Sequence, residues 1–407
     1  MSNFEVSGNT LDGYNRAYSR GLLIVQASGY GLGSLSEGYV HDNIVKNMHA
    51  PNQIVGENIA VYKNKISSIK NVCGPGDPTG YCIGGTTNNP PTCTGGSYIE
   101  HAGESAYYGD TDCQEECVYN YCPESASWGR ESEGAPYRGT GQGLVTSVNG
   151  QFSNFAIFQN TWYGISESSI QVRNLGESAV NNNALLIHGN IFANDAILAV
   201  GSYSDYGDYW VPTNQPGDSD PPGSSYGDAD CSIFVNEVNS DHISNSEIKN
   251  NVFYTNGVSD YFCLDNTEFE GFYTTSELDA EGTGSPGTWT TSELDSSDNV
   301  TSNPLMVDPG NDDFTLQSAS PAKDRGFWTT VSTATSTTDT VQVGNALFLG
   351  APGETIKTAA GVTGTIRSIN YTTNTLTLTG AISVVNGEGI GLDYHGTSLD
   401  AGAIEYE

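Results

Sequence analysis

Basic residues are scarce in this chain: 14 lysines and arginines stand against 48 aspartates and glutamates over 407 residues, a formal charge of −34. A polyanion needs a basic footprint, so nucleic acid and anionic membrane surfaces are not expected as partners. Long hydrophobic runs are missing as well. No window holds about 18 consecutive apolar residues, so no helix is expected to span a membrane, and the residues after Met1 do not read as a charged-then-apolar leader. No nucleophile elbow, HExxH, phosphate loop or dinucleotide fingerprint occurs, which removes the enzyme classes those motifs announce. What is plentiful is turn chemistry. Forty-nine glycines, with abundant Ser, Thr and Asn, point to short strands between tight turns.

The eight cysteines are an even set, six of them between Cys73 and Cys122. In an acidic, lysine-poor chain this suggests an oxidising compartment, with local disulfides across 73–122 and a Cys231–Cys263 bridge between neighbouring coils. Free thiols and a metal cluster are the alternatives. Against metal, Cys113, Cys117 and Cys122 are spaced C-x3-C-x4-C, unlike common zinc pairs.

One pattern recurs. FEVSGNTL (4–11), GYVHDNIV (38–45), IAVYKNKI (59–66), FAIFQNTW (155–162), LLIHGNIF (185–192) and SEIKNNVF (246–253) align without gaps. Three residues before the asparagine stand Val6, Val40, Val61, Ile157, Ile187 and Ile248. Two residues after it stand Leu11, Val45, Ile66, Trp162, Phe192 and Phe253. The asparagines are Asn9, Asn43, Asn64, Asn160, Asn190 and Asn251. A β-branched residue three before the turn would face a core, and asparagine tolerates a left-handed turn while its amide can bond along a stack of identical turns. The separations of 21 (Asn43 to Asn64) and 30 (Asn160 to Asn190) approximate one coil, and the larger ones require insertions. Further apolar runs, such as SSIQVRN (168–174) and CSIFVNEV (231–238), give each coil several short strands stacked by parallel pairing.

The chain thus resembles the right-handed parallel β-helix family, the pectate-lyase-like superfamily, whose coils carry an asparagine ladder at one turn. SNPLMVDPGNDDFTLQSASPAKDRG (302–326) resembles the end-of-helix motif of secreted and surface members, and LDAGAIEYE (399–407) their closing segment. The resemblance implies an all-β solenoid over 1–326 with insertions at 71–142, 203–230 and 272–300. A small antiparallel β insert at 327–398 would cap the open end, and 399–407 would return to the helix. The repeated TTSELD at 274–279 and 290–295 suggests a projecting hairpin. Residue 3 already reads as part of a coil, so the chain is expected to be a fragment or processed form. This scaffold hosts lyases, hydrolases, epimerases, adhesins and phage spikes, so activity must come from a site.

Motifs of pectate-type lyases and polygalacturonases are absent. The outward column two before each asparagine reads Ser7, His41, Tyr62, Phe158, His188 and Lys249. It could stack sugar rings, with His188 and Lys249 as binding residues, or simply lie under an insertion. Enzymes of this family usually place reactive groups on the sheet after the next bend. There, alternation buries Ile170, Val172, Ile233 and Val235 and turns Gln171, Arg173 and Glu237 outward, with Glu167 just ahead. Two carboxylates with an arginine suit glycoside hydrolysis or β-elimination, and a surface salt bridge is the plain alternative. Tyr206, Tyr209 and Trp210 in the 203–230 insertion offer stacking platforms. No cofactor is required by these residues. GDSD (217–220), YGDAD (226–230) and GNDD (310–313) offer oxygens for Ca²⁺, though such runs are more often solvated acidic turns. The expected role is extracellular: binding, and in the enzymatic form cleaving, a polysaccharide or cell-surface glycan. The alternative is a non-enzymatic adhesin, spike or filament subunit.

Overall fold

The computed structural model describes residues 2–13, 21–24, 36–48, 52–54, 56–69, 71–72, 81–83, 86–88, 92–94, 97–99, 139–140, 143–146, 153–165, 168–173, 183–193, 203–206, 209–212, 232–236, 245–254, 262–265, 270–280, 294–325, 328–396 and 398–406. Each repeat places a longer strand before its asparagine and a short one after it. The longer strands, Ser2–Ser7, Ser36–His41, Glu57–Tyr62, Ser153–Phe158, Asn183–His188, Ser246–Lys249 and Leu294–Ser297, stack in parallel as a first sheet. The short ones, Thr10–Asp12, Ile44–Lys46, Lys65–Ser67, Thr161–Tyr163, Ile191–Ala193, Val252–Tyr254 and Val300–Thr301, form a second parallel sheet. A third sheet runs from Leu23–Ile24 through Asn52–Ile54, Leu144–Thr146, Ile170–Arg173 and Ile233–Asn236 to Phe262–Asp265, all parallel, and ends on the antiparallel strand Glu270–Tyr273. The chain visits the three sheets in the same order coil after coil, an all-β arrangement compatible with a parallel β-helix.

The expected core columns point inward. Val40, Val61, Ile157, Ile187 and Ile248 are buried, as are Ile170, Val172, Ile233 and Val235 of the third sheet. Trp162, Phe192 and Phe253 stack along the second sheet with centroids 6.2 and 4.9 Å apart. In-register stacking puts like residues on like, so apolar bulk accumulates along the axis.

The asparagines form an unbroken ladder across the insertions. Each Nδ2 donates to the Oδ1 of the asparagine one coil on, at 2.9–3.0 Å. Asn299 is a seventh rung, and Asp279 takes the next place by accepting from its Nδ2 (2.7 Å) and main-chain N–H (3.1 Å). One expectation is corrected: the left-handed residue is not the asparagine but the one before it. Gly8, Asp42, Lys63, Gln159, Gly189, Asn250 and Asp298 all have φ between 50° and 66°, which leaves the asparagine side chain free to enter the ladder.

The TTSELD copies take different forms. The first makes a short helix, Thr275–Asp279, with a capping box in which Thr274 and Glu277 satisfy each other's main-chain N–H groups. Leu278 of this helix joins the core with Phe262, Tyr273 and Leu294. The second copy ends in the first-sheet strand Leu294–Ser297. The end of the ladder is therefore met by residues 270–280 rather than by the later insert.

That insert has a core of its own, including Val341, Ile356, Ile366, Leu376 and Ile390. Its six antiparallel strands run from Thr330–Val331 to Thr340–Gln342, and a Ser332–Val343 bridge joins these two edge strands, leaving little unpaired edge. It does not sit over the end of the stack. The 3-10 turn Ala346–Leu349 presses Leu347 and Phe348 onto the outer face of the first sheet, against Tyr39, Ala60, Tyr62, Ala156, Phe158 and Leu186. The hairpin Met306–Asp308/Asp313–Leu316 and Ala401 likewise pack on Ile191, Ala193 and Val252 of the second sheet.

Candidate functional site

Between the second and third sheets the connections differ sharply in length. Ser67 returns to the third sheet at Leu144 and Ala193 returns at Ile233, while the coil between them passes directly from Tyr163 to Ile170. Two long excursions thus leave one corner on either side of a coil with a short one. Within the second excursion, Tyr203–Tyr206 and Tyr209–Pro212 pair antiparallel, placing Tyr206 opposite Tyr209 and Asp205 opposite Trp210. The two-residue Gly207-Asp208 link is a hairpin signal that the sequence reading passed over.

Val145, Gln171, Phe234 and Cys263 stand in register along the third sheet. Gln171 is fully buried, yet neither its Oε1 nor its Nε2 has a hydrogen-bond partner; the buried hydroxyls of Ser168 and Ser232 lack one too. Buried polar groups are normally satisfied, so this cluster marks the flank. Arg173 is level with Asn236 and Asp265, and Asp265 is a carboxylate the sequence reading passed over. Glu167, Glu237 and Cys231 lie outside the described residues, as do Cys73, Cys113, Cys117 and Cys122 and the GDSD and YGDAD runs. Cys263 is in register with Phe234, three positions beyond Cys231.

The outward column of the first sheet is a stacked stripe, but a covered one. His41 stacks on Tyr62 (4.6 Å) and Tyr62 on Phe158 (5.0 Å). Phe348 of the insert meets Phe158 edge-on at 5.5 Å and lies on His188 at 4.4 Å. His188 is 5 % exposed, so it offers no ring face to a sugar. Its Nε2 lies 2.9 Å from Glu247, and Lys249 pairs with Glu247 (3.6 Å) and Asp295. Burial lowers the His188 pKa below the ordinary histidine value. Burial alone would raise Glu247, but His188 and Lys249 hold it below the usual carboxylate value. His188 is thus committed to the interface of sheet and insert, and Lys249 to carboxylates of the first sheet.

A polar seam runs beside this stripe at the corner between the first two sheets. His41 Nδ1 is 2.7 Å from Asp42, its Nε2 is 3.2 Å from Glu5, and Glu354 of the insert lies 3.9 Å from Nδ1. Tyr62 donates to Glu354 (3.0 Å), whose other oxygen is 3.9 Å from Lys63. Burial opposes the His41 charge, yet Asp42, Glu354 and Glu5 together outweigh it and raise the pKa. Among the described residues, His41, Asp42 and Glu354 are the group whose ligand atoms converge, all within 4.8 Å. Their contacts here are with one another and with Glu5, Tyr62 and Lys63, a charge seam that joins insert to sheet. GNDD is used similarly: Asp312 accepts from Lys46 (2.6 Å) and Ser67 (3.1 Å).

No helix among the described residues is long and apolar enough to cross a membrane. Comparison of the chain with family models, with curated proteins and with solved structures returns no match.

Proposed function

We propose that this chain is an extracellular right-handed parallel β-helix that binds a polysaccharide over its third sheet. The observation that carries the reading is the pair of long excursions from one corner, flanking a coil with a short connection, one of them bearing the Tyr206/Tyr209/Trp210 hairpin. Loops on a rigid scaffold are where such binding surfaces form. Cleavage is the stronger form of the proposal. In it Arg173 neutralises or orients the sugar, and Glu167 and Glu237 act as acid and base or nucleophile. The alternative, a non-enzymatic adhesin, spike or filament subunit, draws on the unbroken ladder, which suits a rigid rod for display.

The test is a glycan array with reducing-end and product-unsaturation assays over neutral and acidic polysaccharides, with and without Ca²⁺. Unsaturated product identifies a lyase, reducing ends alone a hydrolase, and binding without turnover the display reading. Should product form, Arg173→Ala and Glu237→Ala each cost roughly a hundredfold in rate, about 2.7 kcal/mol of barrier. Full activity in both variants would remove these residues from the site. No binding to any glycan would end the carbohydrate reading.

A further inference from the structure

The segment 398–406 lies along the corner where the first sheet turns into the second. Gly402 N–H donates to Gly189 O (2.8 Å) and Ala403 N–H to Thr161 Oγ1 (3.0 Å). Gly402 has φ +94°, and a Cβ there would come within 2.6 Å of Ile191 and 2.9 Å of Thr161, so only glycine approaches this closely. Three residues on, the Glu405 carboxyl meets Gln159, the left-handed residue of its turn. Glu405 Oε1 accepts from Gln159 Nε2 and from the Asp400 N–H, both at 3.3 Å.

The remaining two oxygens are the informative ones. Glu405 Oε2 and Gln159 Oε1 are both buried, and neither has a hydrogen-bond partner. Gln159 is 1 % exposed. A carboxyl and an amide already joined by one N–H···O bond, each with a spare acceptor, lack a single hydrogen. A carboxylic acid and a primary amide close a ring of two antiparallel bonds: amide N–H to one carboxyl oxygen, carboxyl O–H to the amide oxygen. We propose that Glu405 is a protonated carboxylic acid in the folded protein and donates from Oε2 to Gln159 Oε1. The acid–amide pair latches the 398–406 segment to the corner, and loss of the proton in mild alkali opens the latch.

The surroundings agree. On its own segment Glu405 faces Asp400, whose oxygens are taken by the N–H groups of Asp324 (2.5 Å) and Tyr406 (2.6 Å). From the sheet corner it faces Lys63, shared with Glu354, and from the insert the Tyr394 phenol and the His395 main chain. Lys323 lies over the Tyr406 ring and counters Asp400. Burial first, then Asp400, pushes Glu405 up to about 8, against the smaller pull of Lys63 and two main-chain bonds. An acid whose folded pKa is raised stabilises the fold at low pH, and that contribution falls as pH climbs from its ordinary value through about 8.

Hydrogen exchange of residues 398–406 in the full chain, corrected for intrinsic rates, tests this. The wild-type segment is expected to lose about tenfold in protection for each pH unit above 8, as the protonated fraction falls. Glu405→Gln keeps both bonds without an ionisable proton and should stay protected at pH 9. Glu405→Ala should be open at both pH values. An unchanged pH profile in Glu405→Gln would overturn the latch. Infrared spectra of the wild type give an answer independent of any variant. A protonated-carboxyl carbonyl band is expected at pH 7, weakened by pH 9 and missing in Glu405→Gln. No such band at pH 7 would be equally fatal.

Discussion

An interior ladder asparagine engages its neighbours on both sides. Asn160 donates to Asn190, Val61 O and Phe158 O, and its Oδ1 accepts two bonds from Asn64. Asn160→Ala therefore strands several buried partners, each worth about 1–3 kcal/mol. Urea unfolding should show a loss of about 3 kcal/mol or more. Asn9 is an exposed rung whose bonds water can replace, and Asn9→Ala should cost under about 1 kcal/mol. Equal losses at the two positions would mean that the ladder is not a cooperative stack. Six of these rungs were legible because β-branched and apolar residues stand at fixed offsets around them. Asn299 was not, since Ser296 and Thr301 fill those columns. The left-handed position was illegible for another reason: Asp42, Lys63 and Gln159 share the conformation and no chemistry.

At the scale of elements, one short turn supplies the insert's aromatic contact with the first sheet, beside the Glu354 seam. Phe348 contacts both Phe158 and His188, and removing a buried aromatic side chain costs about 3–5 kcal/mol. Phe348→Ala should free the insert for proteolytic release near residues 326–330 while its separate core keeps it folded. Proteolysis with mass analysis reads this directly, and a variant cut no faster than wild type would show that the seam alone suffices. The stripe of rings was visible in the sequence, but its cover was not. The Ala346–Leu349 turn lies far along the chain from His41 and His188, and no local pattern links them. The TTSELD copies show the same limit. Identical hexapeptides became a helix and a strand end because one lies across the last coil and the other enters the first sheet.

At the scale of the molecule, pH and salt act on the charge balance. His41, Asp400 and Glu405 all bind protons more tightly folded than unfolded. Each stabilises the fold below its ordinary pKa, and that stability is lost as pH rises through the folded value. Glu247 and His188 work oppositely: the contribution of each is present above its ordinary pKa and lost as pH falls. The thermal midpoint should therefore decline from about pH 7 through about pH 8.5. The formal charge of −34 adds self-repulsion that salt screens, so the alkaline decline should shrink as ionic strength is raised. Melting curves at two salt concentrations decide it, and a midpoint that climbs from about pH 7 to about pH 8.5 contradicts the assignment. Alternation at Ile170–Arg173 placed Ile170 and Val172 in the core correctly, but Gln171, expected outward, is buried as well, and the choice of this sheet came from the family resemblance. Asp265 was missed because its row follows from the register of three separated strands.

The ladder joins Asn64 to Asn160 across 96 positions with the same bond that joins Asn43 to Asn64 across 21. The corner thus counts coils and ignores the length of chain between them. Loop closure grows only slowly with length, at about 0.6 kcal/mol per doubling. Excursions between the second and third sheets can accordingly grow, shrink or be replaced while the register at the ladder turn is kept. The molecule is a jig, with a fixed rail and exchangeable tools, and new specificity can be grafted between Ser67 and Leu144 or Ala193 and Ile233 without redesigning what holds it.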